Sequence, residues 1–460
     1  MKQIPAEKPK QDMGKDSVGK LLAQLAIPAV VAQIINLLYN IVDRIYIGHI
    51  PEVGADALTG VGLFMSMLMM INAFAMMAGA GGAPRAAIAM GQKDHERAEK
   101  IMGNCFSLLL IFAVVLTAVF YVTAPALLKL FGASEVTLPF ALDYARIYIL
   151  GSVFVLIVMG MNMFVTTQGF AKISMMTTVI GAVINLVLDP IFIFWLDMGV
   201  KGAALATVLS QAVGSVWILR FLTGKKTILK LRASRMKLEP QIFLPCLALG
   251  ISTFVMLTTE SLLSASFTSS LARYGGDLAV GAMTIITSVS HLVTMPLNGI
   301  AQGAQPIISY NFGACLADRV RKTFRLTLLV CGTYAILFWA VLMAAPASFA
   351  AIFSNNPDLV SYTGWAMRIY MAGIFALGFQ LVCQQSFMAL GQAKISLLMA
   401  CLRKVILLIP LIFLLPQFLE NQVFAVFLAE PISDLTAATV TVTVFLLSFK
   451  KILAKGPMKK

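Results

Sequence analysis

Long runs of apolar residues, separated by short polar segments, follow one another along the whole chain. Each run has about 20 residues or more, the length that crosses the hydrocarbon layer of a bilayer as a helix. Strands of a membrane barrel are shorter and alternate in polarity, and only helices or closed barrels span bilayers. The pattern therefore predicts an all-α integral membrane protein with twelve transmembrane helices, called spans 1 to 12, near residues 20–47, 57–83, 102–124, 141–167, 171–195, 200–223, 243–271, 278–305, 324–347, 362–388, 394–418 and 422–448.

The second half of the chain repeats landmarks of the first at an offset of 221–222 positions. Arg146 and Tyr148, for example, recur as Arg368 and Tyr370. Collinear matches at one offset indicate an internal duplication. Because each half holds six spans, we expect two pseudo-symmetric six-helix lobes related by an axis along the membrane normal. The predicted units are an N-terminal tail 1–19, a first lobe 20–223, a linker 224–242, a second lobe 243–448 and a C-terminal tail 449–460.

The composition excludes several classes of protein. Hydrophobic residues make up 59% of the chain and charged residues only 12%. A soluble domain averages about 45–50% apolar and about 25% charged residues, so a soluble core of this size could not bury so much apolar surface. An ordinary soluble enzyme and a disordered chain are both excluded.

The placement of basic residues predicts the topology. A net charge of +14 would suggest a nucleic-acid partner in a soluble protein. Here the basic residues concentrate in the two tails, the linker and the loops after spans 2 and 8, whereas the opposite loops hold mainly Lys129, Lys201 and Arg273. Basic loops stay on the cytoplasmic side. We therefore expect both termini to be cytoplasmic, with the lipid bilayer as a partner and no nucleic acid, and we expect no cleaved signal peptide.

Span 1 carries a stripe of polar side chains on one helix face, at i, i+3, i+7 and i+10: Gln33, Asn36, Asn40 and Asp43. An ionisable residue inside a membrane is costly and indicates function. Arg44 is adjacent in sequence but points to another side of the helix, so it is a poor partner for Asp43. For the amides alone, hydrogen bonding between helices is the alternative role.

A second acid lies at the same predicted depth as Asp43. Asn185 and Asp189 share one face of span 5, and Pro190 should weaken the helix ladder there. At about 1.5 Å per residue, both acids and Thr207 of span 6 fall in the outer half of the membrane. Two carboxylates, an amide and a hydroxyl at one level would suit a proton relay or a hard cation such as Na⁺.

The second half carries different polar residues. Glu260 is an acid within span 7, and span 8 has a stripe on one face: His291, Met295, Asn298, Gln302 and Gln305. Span 10 offers Gln380 and Gln384 on one face but no carboxylate, and the roles of Glu430 and Asp434 in span 12 stay open. We expect the cavity for a substrate to lie between the lobes, with contacts from Glu260, Met295, Asn298 and Gln302.

Flexible methionines and aromatic residues suit an adaptable apolar pocket. Phe64, Met67 and Phe154 are candidates for it, although core packing is the alternative for such residues. No metalloprotease, nucleophile-elbow, P-loop or dinucleotide motif occurs in the sequence. We therefore expect a non-enzyme with no cofactor, whose transport would run on an ion gradient.

Several motifs resemble the multidrug and toxic compound extrusion (MATE) family, in particular its bacterial MepA-like branch. They are the early Pro28, the stretch 39–48 in span 1, and the stretch 299–306 leading to the Tyr-Asn-Phe-Gly of 310–313. The resemblance extends over twelve spans and two halves. It implies a V-shaped pair of lobes in a bacterial inner membrane, acting as a monomer, that exports drug-like organic cations by alternating access in exchange for H⁺ or Na⁺.

The resemblance also implies roles for individual residues. The cation-site residues of the family's first lobe match Asp43, Asn185, Asp189 and Thr207, and we add the neighbouring Asn36 and Tyr39. In the second lobe, Glu260 matches an acid that other branches use. Those branches also place an aspartate in span 10, where this chain has Gln380 and Gln384. A complete second-lobe cation site is therefore not implied.

Two other classes of function remain open at the level of sequence. The first is a flippase of lipid-linked oligosaccharides from the same superfamily, which would need a strongly basic central cavity. Basic residues inside the membrane are few here: Arg44, Arg146, Arg368, Arg403 and Lys404. The second is a non-catalytic subunit of a membrane enzyme.

Overall fold

The computed structural model describes residues 12–457, which are almost entirely helical. The outermost parts of the predicted tails, 1–11 and 458–460, lie outside the described residues. The α-helices are α1 Val18–Gly48, α2 Gly54–Gly91, α3 His95–Leu130, α4 Leu138–Leu150, α5 Ser152–Thr167, α6 Ala171–Pro190, α7 Gly199–Thr223, α8 Pro240–Gly313, α9 Ala317–Ala344, α10 Pro346–Ala351, α11 Pro357–Tyr370, α12 Ile374–Ala389, α13 Ala393–Cys401, α14 Ile409–Phe418 and α15 Gln422–Lys455.

These helices form the twelve predicted spans. Within residues 12–457, nine helices are long and apolar enough to cross a bilayer, and two bent pairs of helices raise the number to 11. The 74-residue α8 is broken at Gly276, which adopts the left-handed φ of 63° and separates span 7 from span 8. Counting its two parts separately gives twelve spans, so the predicted fold class is confirmed.

The bends occur at equivalent places in the two halves. Span 4 consists of α4 and α5, which meet at an angle of 58° at Gly151. Span 10 consists of α11 and α12, which meet at 47° after Tyr370. The two break points are separated by about the offset of the sequence repeat, so the duplication extends from sequence landmarks to backbone geometry.

Two spans contain a π-helical turn, a wider turn that often marks functional positions. In span 5 the turn Ile191–Trp195 follows Pro190, as expected from the hydrogen bond that a proline removes. In span 11 the turn Leu402–Leu408 joins α13 to α14. The second turn carries two adjacent basic residues, Arg403 and Lys404.

Two large hydrophobic cores form within the described residues, one for most of each half, and a small third cluster joins Ala80, Leu249 and Met388. The core of the first half extends from Ile47 to Cys246, at the start of span 7. The second core takes most of its residues from 263–445 but also includes Leu21 and Leu25 of span 1. The start of span 1 therefore packs in the core of the second half, and the start of span 7 packs in the core of the first half. The lobe boundaries and the rotation that relates the lobes stay predictions.

Both described ends of the chain lie at the same end of the bundle, called here the terminal end. Near the N-terminus, the guanidinium of Arg319 donates to the backbone carbonyls of Met13 at 2.9 Å and Asp16 at 2.7 Å. From the last helix, Phe449 packs on Phe324, with ring centroids 5.3 Å apart. Since span 9 supplies both Arg319 and Phe324, the two tails enter the bundle side by side.

The lobes approach each other most closely toward the terminal end. A β-carbon on Gly250 of span 7 would collide with the backbone oxygen of Met77 in span 2. One on Gly313, at the end of span 8, would collide with the backbone oxygen of Ile88. Direct backbone contact of this kind needs residues without side chains. It fixes spans 2, 7 and 8 against one another at this end.

Candidate functional site

Two buried acids face each other inside the first lobe. Asp43 of α1 is 5% exposed, and Asp189, the penultimate residue of α6, is fully buried. Their carboxyl groups come within hydrogen-bonding range of each other. The predicted convergence of these two acids, drawn from helical depth alone, thus agrees with their positions in the fold.

The predicted amide and hydroxyl join this pair. Asn185 lies one turn before Asp189, and its Nδ2 donates to Asp189 Oδ1 at 3.1 Å and to Thr207 Oγ1 at 3.4 Å. The hydroxyl of Thr207 donates in turn to the backbone oxygen of Ala203 at 3.0 Å. One edge of the pair is therefore held by hydrogen bonds from spans 5 and 6.

The other edge of the pair has no protein partner. Asp43 Oδ1 and Asp189 Oδ2 are buried oxygens that receive no hydrogen bond from residues 12–457. Arg44 is exposed and forms no ion pair within that range, as its helical phase predicted. Two acceptor oxygens that are removed from water and left without a donor are unfavourable. A proton or a monovalent cation would satisfy both oxygens at once.

The remaining candidates of span 1 lie beside the acids without binding them. Tyr39 is half-buried, next to Asn40 and within electrostatic range of Asp43 and Asp189. Asn36 is also half-buried, and its backbone oxygen accepts a hydrogen bond from Asn40 Nδ2 at 2.6 Å. Their roles in cation binding stay predictions.

An aromatic cluster lies beside the acid pair. Phe64 packs on Tyr144 and Tyr148, with both ring-centroid distances at 5.3 Å. Phe64 and Met67 are fully buried in the core of the first lobe, so neither reaches the space between the lobes in this structure. Contact with a substrate would require them to become exposed. Phe154 is half-buried and remains a candidate.

The stripe of span 8 borders the contact between the lobes. Gly299 and Gly303, each next to a predicted substrate residue, pack against span 1 at Val30 and Ala26. Met295, Asn298 and Gln302 are half-buried. The two amides form no side-chain hydrogen bond with any residue of the described range, so their polar groups are available to a ligand.

A charged cluster in the second lobe was not foreseen. Glu260 pairs with Lys404 Nζ, while Arg403 pairs with Glu430 Oε1 at 3.0 Å and with Asp434 Oδ1 at 2.6 Å. The sequence did carry a signal, because adjacent basic residues within a span need acidic partners. The open question about Glu430 and Asp434 is thereby answered: both bind Arg403.

The amides of span 10 take no part in that cluster. Gln384 donates to the backbone oxygen of Ser396 at 3.0 Å, and Gln380 is buried. Within the described residues, no three or more histidine, cysteine, aspartate or glutamate side chains gather as a metal site. The first-lobe site has only two carboxylates, which favours a proton or an alkali cation over a tightly bound divalent metal.

Comparisons with known proteins identify the family of this chain. The family model MatE matches the chain twice, over residues 28–191 and 252–414, once in each half. The multidrug export protein MepA of Staphylococcus saprophyticus is 24% identical over 92% of this chain and 93% of its own length.

Solved structures show the same fold. A crystal structure of a MATE protein in a bent conformation superposes with a TM-score of 0.90 at 22% identity, covering 96% of this chain and 98% of that one. An outward-facing multidrug resistance MATE transporter of the MOP superfamily gives 0.89 with the same identity and coverage. The chain therefore belongs to the MATE family of multidrug efflux transporters and is a multi-pass membrane protein similar to MepA.

Proposed function

We propose that this protein exports amphipathic organic cations in exchange for H⁺ or Na⁺ that binds between Asp43 and Asp189. The observation that supports the proposal is the buried pair of acids, which forms no ion pair within residues 12–457 and has two unsatisfied oxygens. A structural ion pair would hold its own countercharge. An exchange site must instead take its countercharge from solution and release it again.

The position of the site links ion binding to the helix that separates the lobes. Asp43 lies on span 1, which also carries Pro28 about four turns earlier and packs on span 8 through Val30. A proline inside a helix removes a hydrogen bond and allows bending. Neutralising Asp43 would relieve its repulsion with Asp189 and let span 1 bend toward span 5, which narrows the space between the lobes.

The substrate would occupy that space. Asn298, Gln302 and Met295 of span 8 lie there, and the carboxylate of Glu260, paired with Lys404, borders it from span 7. The ion can drive export only if it binds the two states of the transporter with different affinity. We further propose a location in the bacterial cell membrane with the terminal end facing the cytoplasm, since that end carries most of the basic residues.

The flippase alternative is less well supported. Arg403 and Lys404, two of the five basic residues inside the membrane, are neutralised by acids of their own lobe. They would not present free positive charge to a pyrophosphate group.

Transport in proteoliposomes tests the proposal. The wild-type protein should accumulate a fluorescent organic cation when a proton or Na⁺ gradient is imposed. Asp43→Asn and Asp189→Asn should abolish that accumulation, whereas Asp56→Asn, the same substitution in the same lobe away from the pair, should retain it. Reconstituted amount and orientation must be matched. Gradient-driven accumulation at the wild-type rate in either site variant would refute the proposal.

A further inference from the structure

The charged cluster of the second lobe separates into two parts. Arg403 and Lys404 are neighbours in the π-helical turn Leu402–Leu408 but form ion pairs with different helices. Arg403 turns to the acids of span 12, and Lys404 turns to span 7. The acids of the two parts differ in solvent exposure. Those bound to Arg403 are buried, whereas Glu260, which binds Lys404, is accessible.

The Arg403 part is enclosed. Its guanidinium binds Glu430 and Asp434, which are 8% and 3% exposed, and Ser433 Oγ donates to the backbone oxygen of Arg403 at 2.8 Å. The pairing joins span 11 to span 12 and offers no charge to the space between the lobes.

The Lys404 part is open on one side. The Lys404 side chain is only 10% exposed, and its Nζ donates to the backbone oxygen of Met256 at 3.0 Å as well as to Glu260. The side chain of Glu260 is 50% exposed. A carboxylate in a span does not face lipid, since ionisable residues within the membrane turn to the bundle interior or to water.

The surroundings of Glu260 show which side of span 7 it occupies. Glu260 lies within electrostatic range of His291, the first residue of the polar stripe on span 8. The next residue, Ser261, donates its hydroxyl to the sulfur of Met69 in span 2, at 3.5 Å, so span 7 lies against the first lobe at this height. The exposed side of Glu260 therefore borders the space between the lobes, while Lys404 approaches the same carboxylate from inside the second lobe.

We propose that Lys404 is a tethered cation that occupies Glu260, so that an organic monocation binds the second lobe only by displacing the Lys404 ammonium. This inference rests on the proposed function, because it assumes that organic cations enter the space between the lobes. A positively charged ligand that approaches Glu260 meets a neutral pair rather than a free carboxylate.

The displacement would make Lys404 a determinant of specificity. The displaced ammonium would retain its hydrogen bond to Met256 but lose its countercharge, and the ligand must supply the free energy that this loss costs. Exchanging one monovalent cation for another at Glu260 gains little Coulomb energy. A successful ligand must then contribute apolar contact area as well, which selects cations with large hydrophobic groups over small hydrated ones.

Equilibrium binding to the purified protein, without any ion gradient, tests this proposal. The probe is tetraphenylphosphonium, and triphenylphosphine oxide serves as an uncharged aromatic control. Lys404→Met, which keeps side-chain length but removes the charge, should raise the affinity for tetraphenylphosphonium by about tenfold. It should leave the affinity for the uncharged compound unchanged. Lys394→Met, at the exposed start of the same span, should change neither affinity.

A second variant distinguishes direct competition between Lys404 and the ligand for Glu260 from an indirect effect of an altered pocket shape. Glu260→Gln combined with Lys404→Met removes both charges and leaves no buried ammonium unpaired, and it should lose the gain seen with Lys404→Met. Unchanged or weaker binding of tetraphenylphosphonium by folded Lys404→Met would overturn the proposal. So would a gain that persists in the double variant. Gradient-driven export by the wild type is measured separately, so either idea can fail while the other stands.

Discussion

The two lobes hold their membrane-embedded acids in opposite ways. In the first lobe, Asp43 and Asp189 face each other with amide and hydroxyl neighbours and form no ion pair in the described part of the chain. In the second lobe, Glu260, Glu430 and Asp434 all pair with Arg403 or Lys404. The duplicated fold therefore carries acids without a bound base in one half, where we propose that an ion exchanges, and acids compensated by bases in the other.

The backbone has stayed similar where the chemistry has diverged. Tyr148 and Tyr370 occupy equivalent positions after the repeat offset, and each lies beside the acids of its own lobe. The offset places Leu411 opposite Asp189, however, and Gly181 opposite Arg403. The difference between the lobes thus depends on a few substitutions and on the π-helical turn that orients the two bases of span 11.

The largest effect is expected from removing the base that compensates the second lobe. Arg403→Gln leaves Glu430 and Asp434 buried without a partner, which should cost about 3–5 kcal/mol in free energy of unfolding. Thermal unfolding and folded yield in detergent measure this loss. The triple variant Arg403→Met, Glu430→Gln, Asp434→Asn should recover most of the stability, and Asp189→Asn should destabilise little. Equal losses for Arg403→Gln and Asp189→Asn would abolish the distinction between the lobes.

A smaller change, in the unfolding temperature on adding ions, should distinguish the acids of the first lobe from those of the second. An ion that binds only the folded protein stabilises it by about 2.7 kcal/mol at 100 times its Kd. We expect Na⁺ at constant ionic strength, or added acid, to raise the unfolding temperature of the wild type by several degrees. Asp43→Asn and Asp189→Asn should lose this rise.

The matched control for that experiment lies in the second lobe. The double variant Glu260→Gln, Lys404→Met should keep the full rise, because those two charges compensate each other. If it loses the rise while the first-lobe variants retain it, the exchangeable site lies in the second lobe and the comparison is reversed.

Much of the architecture followed from the sequence because its causes are local. Apolar runs set the spans, and the repeat of landmarks indicated the duplication. The acid pair was also predictable, since helical phase and depth alone bring Asp43 and Asp189 to one level. The amide at position 185 followed from its i, i+4 spacing to Asp189.

The contacts that the sequence did not predict depend on the relative heights of spans that are far apart along the chain. Glu260 and Lys404 are 144 positions apart, and their pairing requires the relative heights of spans 7 and 11. The π-helical turn at Leu402–Leu408 also shifts the helical phase, so a regular helix would misplace both bases. Phe64 and Met67 lie in span 2, which is apolar over most of its surface and has no continuous polar face to show which of its residues are buried.

A moderate effect is expected from the amide that orients the acid pair. Asn185→Ala removes the donor to Asp189 and Thr207, and a hydrogen bond to a charged group contributes about 1.5–3 kcal/mol. The Na⁺ or proton concentration at half-maximal stabilisation should shift by about tenfold or more. Asn162→Ala removes an amide of the same lobe that donates to the backbone of Ser174, and it should leave this midpoint in place. An unshifted midpoint in Asn185→Ala would mean that the amide only packs.

The smallest effect should come from the hydroxyl at the edge of the pair. Thr207 already donates to the backbone of Ala203 at 3.0 Å, and the hydrogen bond that it accepts from Asn185 is long, at 3.4 Å. Thr207→Val keeps the shape and removes one weak acceptor, so the same midpoint should move by less than about fivefold, corresponding to less than about 1 kcal/mol. Thr207→Ser should leave it unchanged. A shift larger than that of Asn185→Ala would contradict this ranking and make the hydroxyl oxygen a direct ligand of the ion. In that case Na⁺ would be favoured over a proton, because a proton shared by two carboxylates needs no third oxygen.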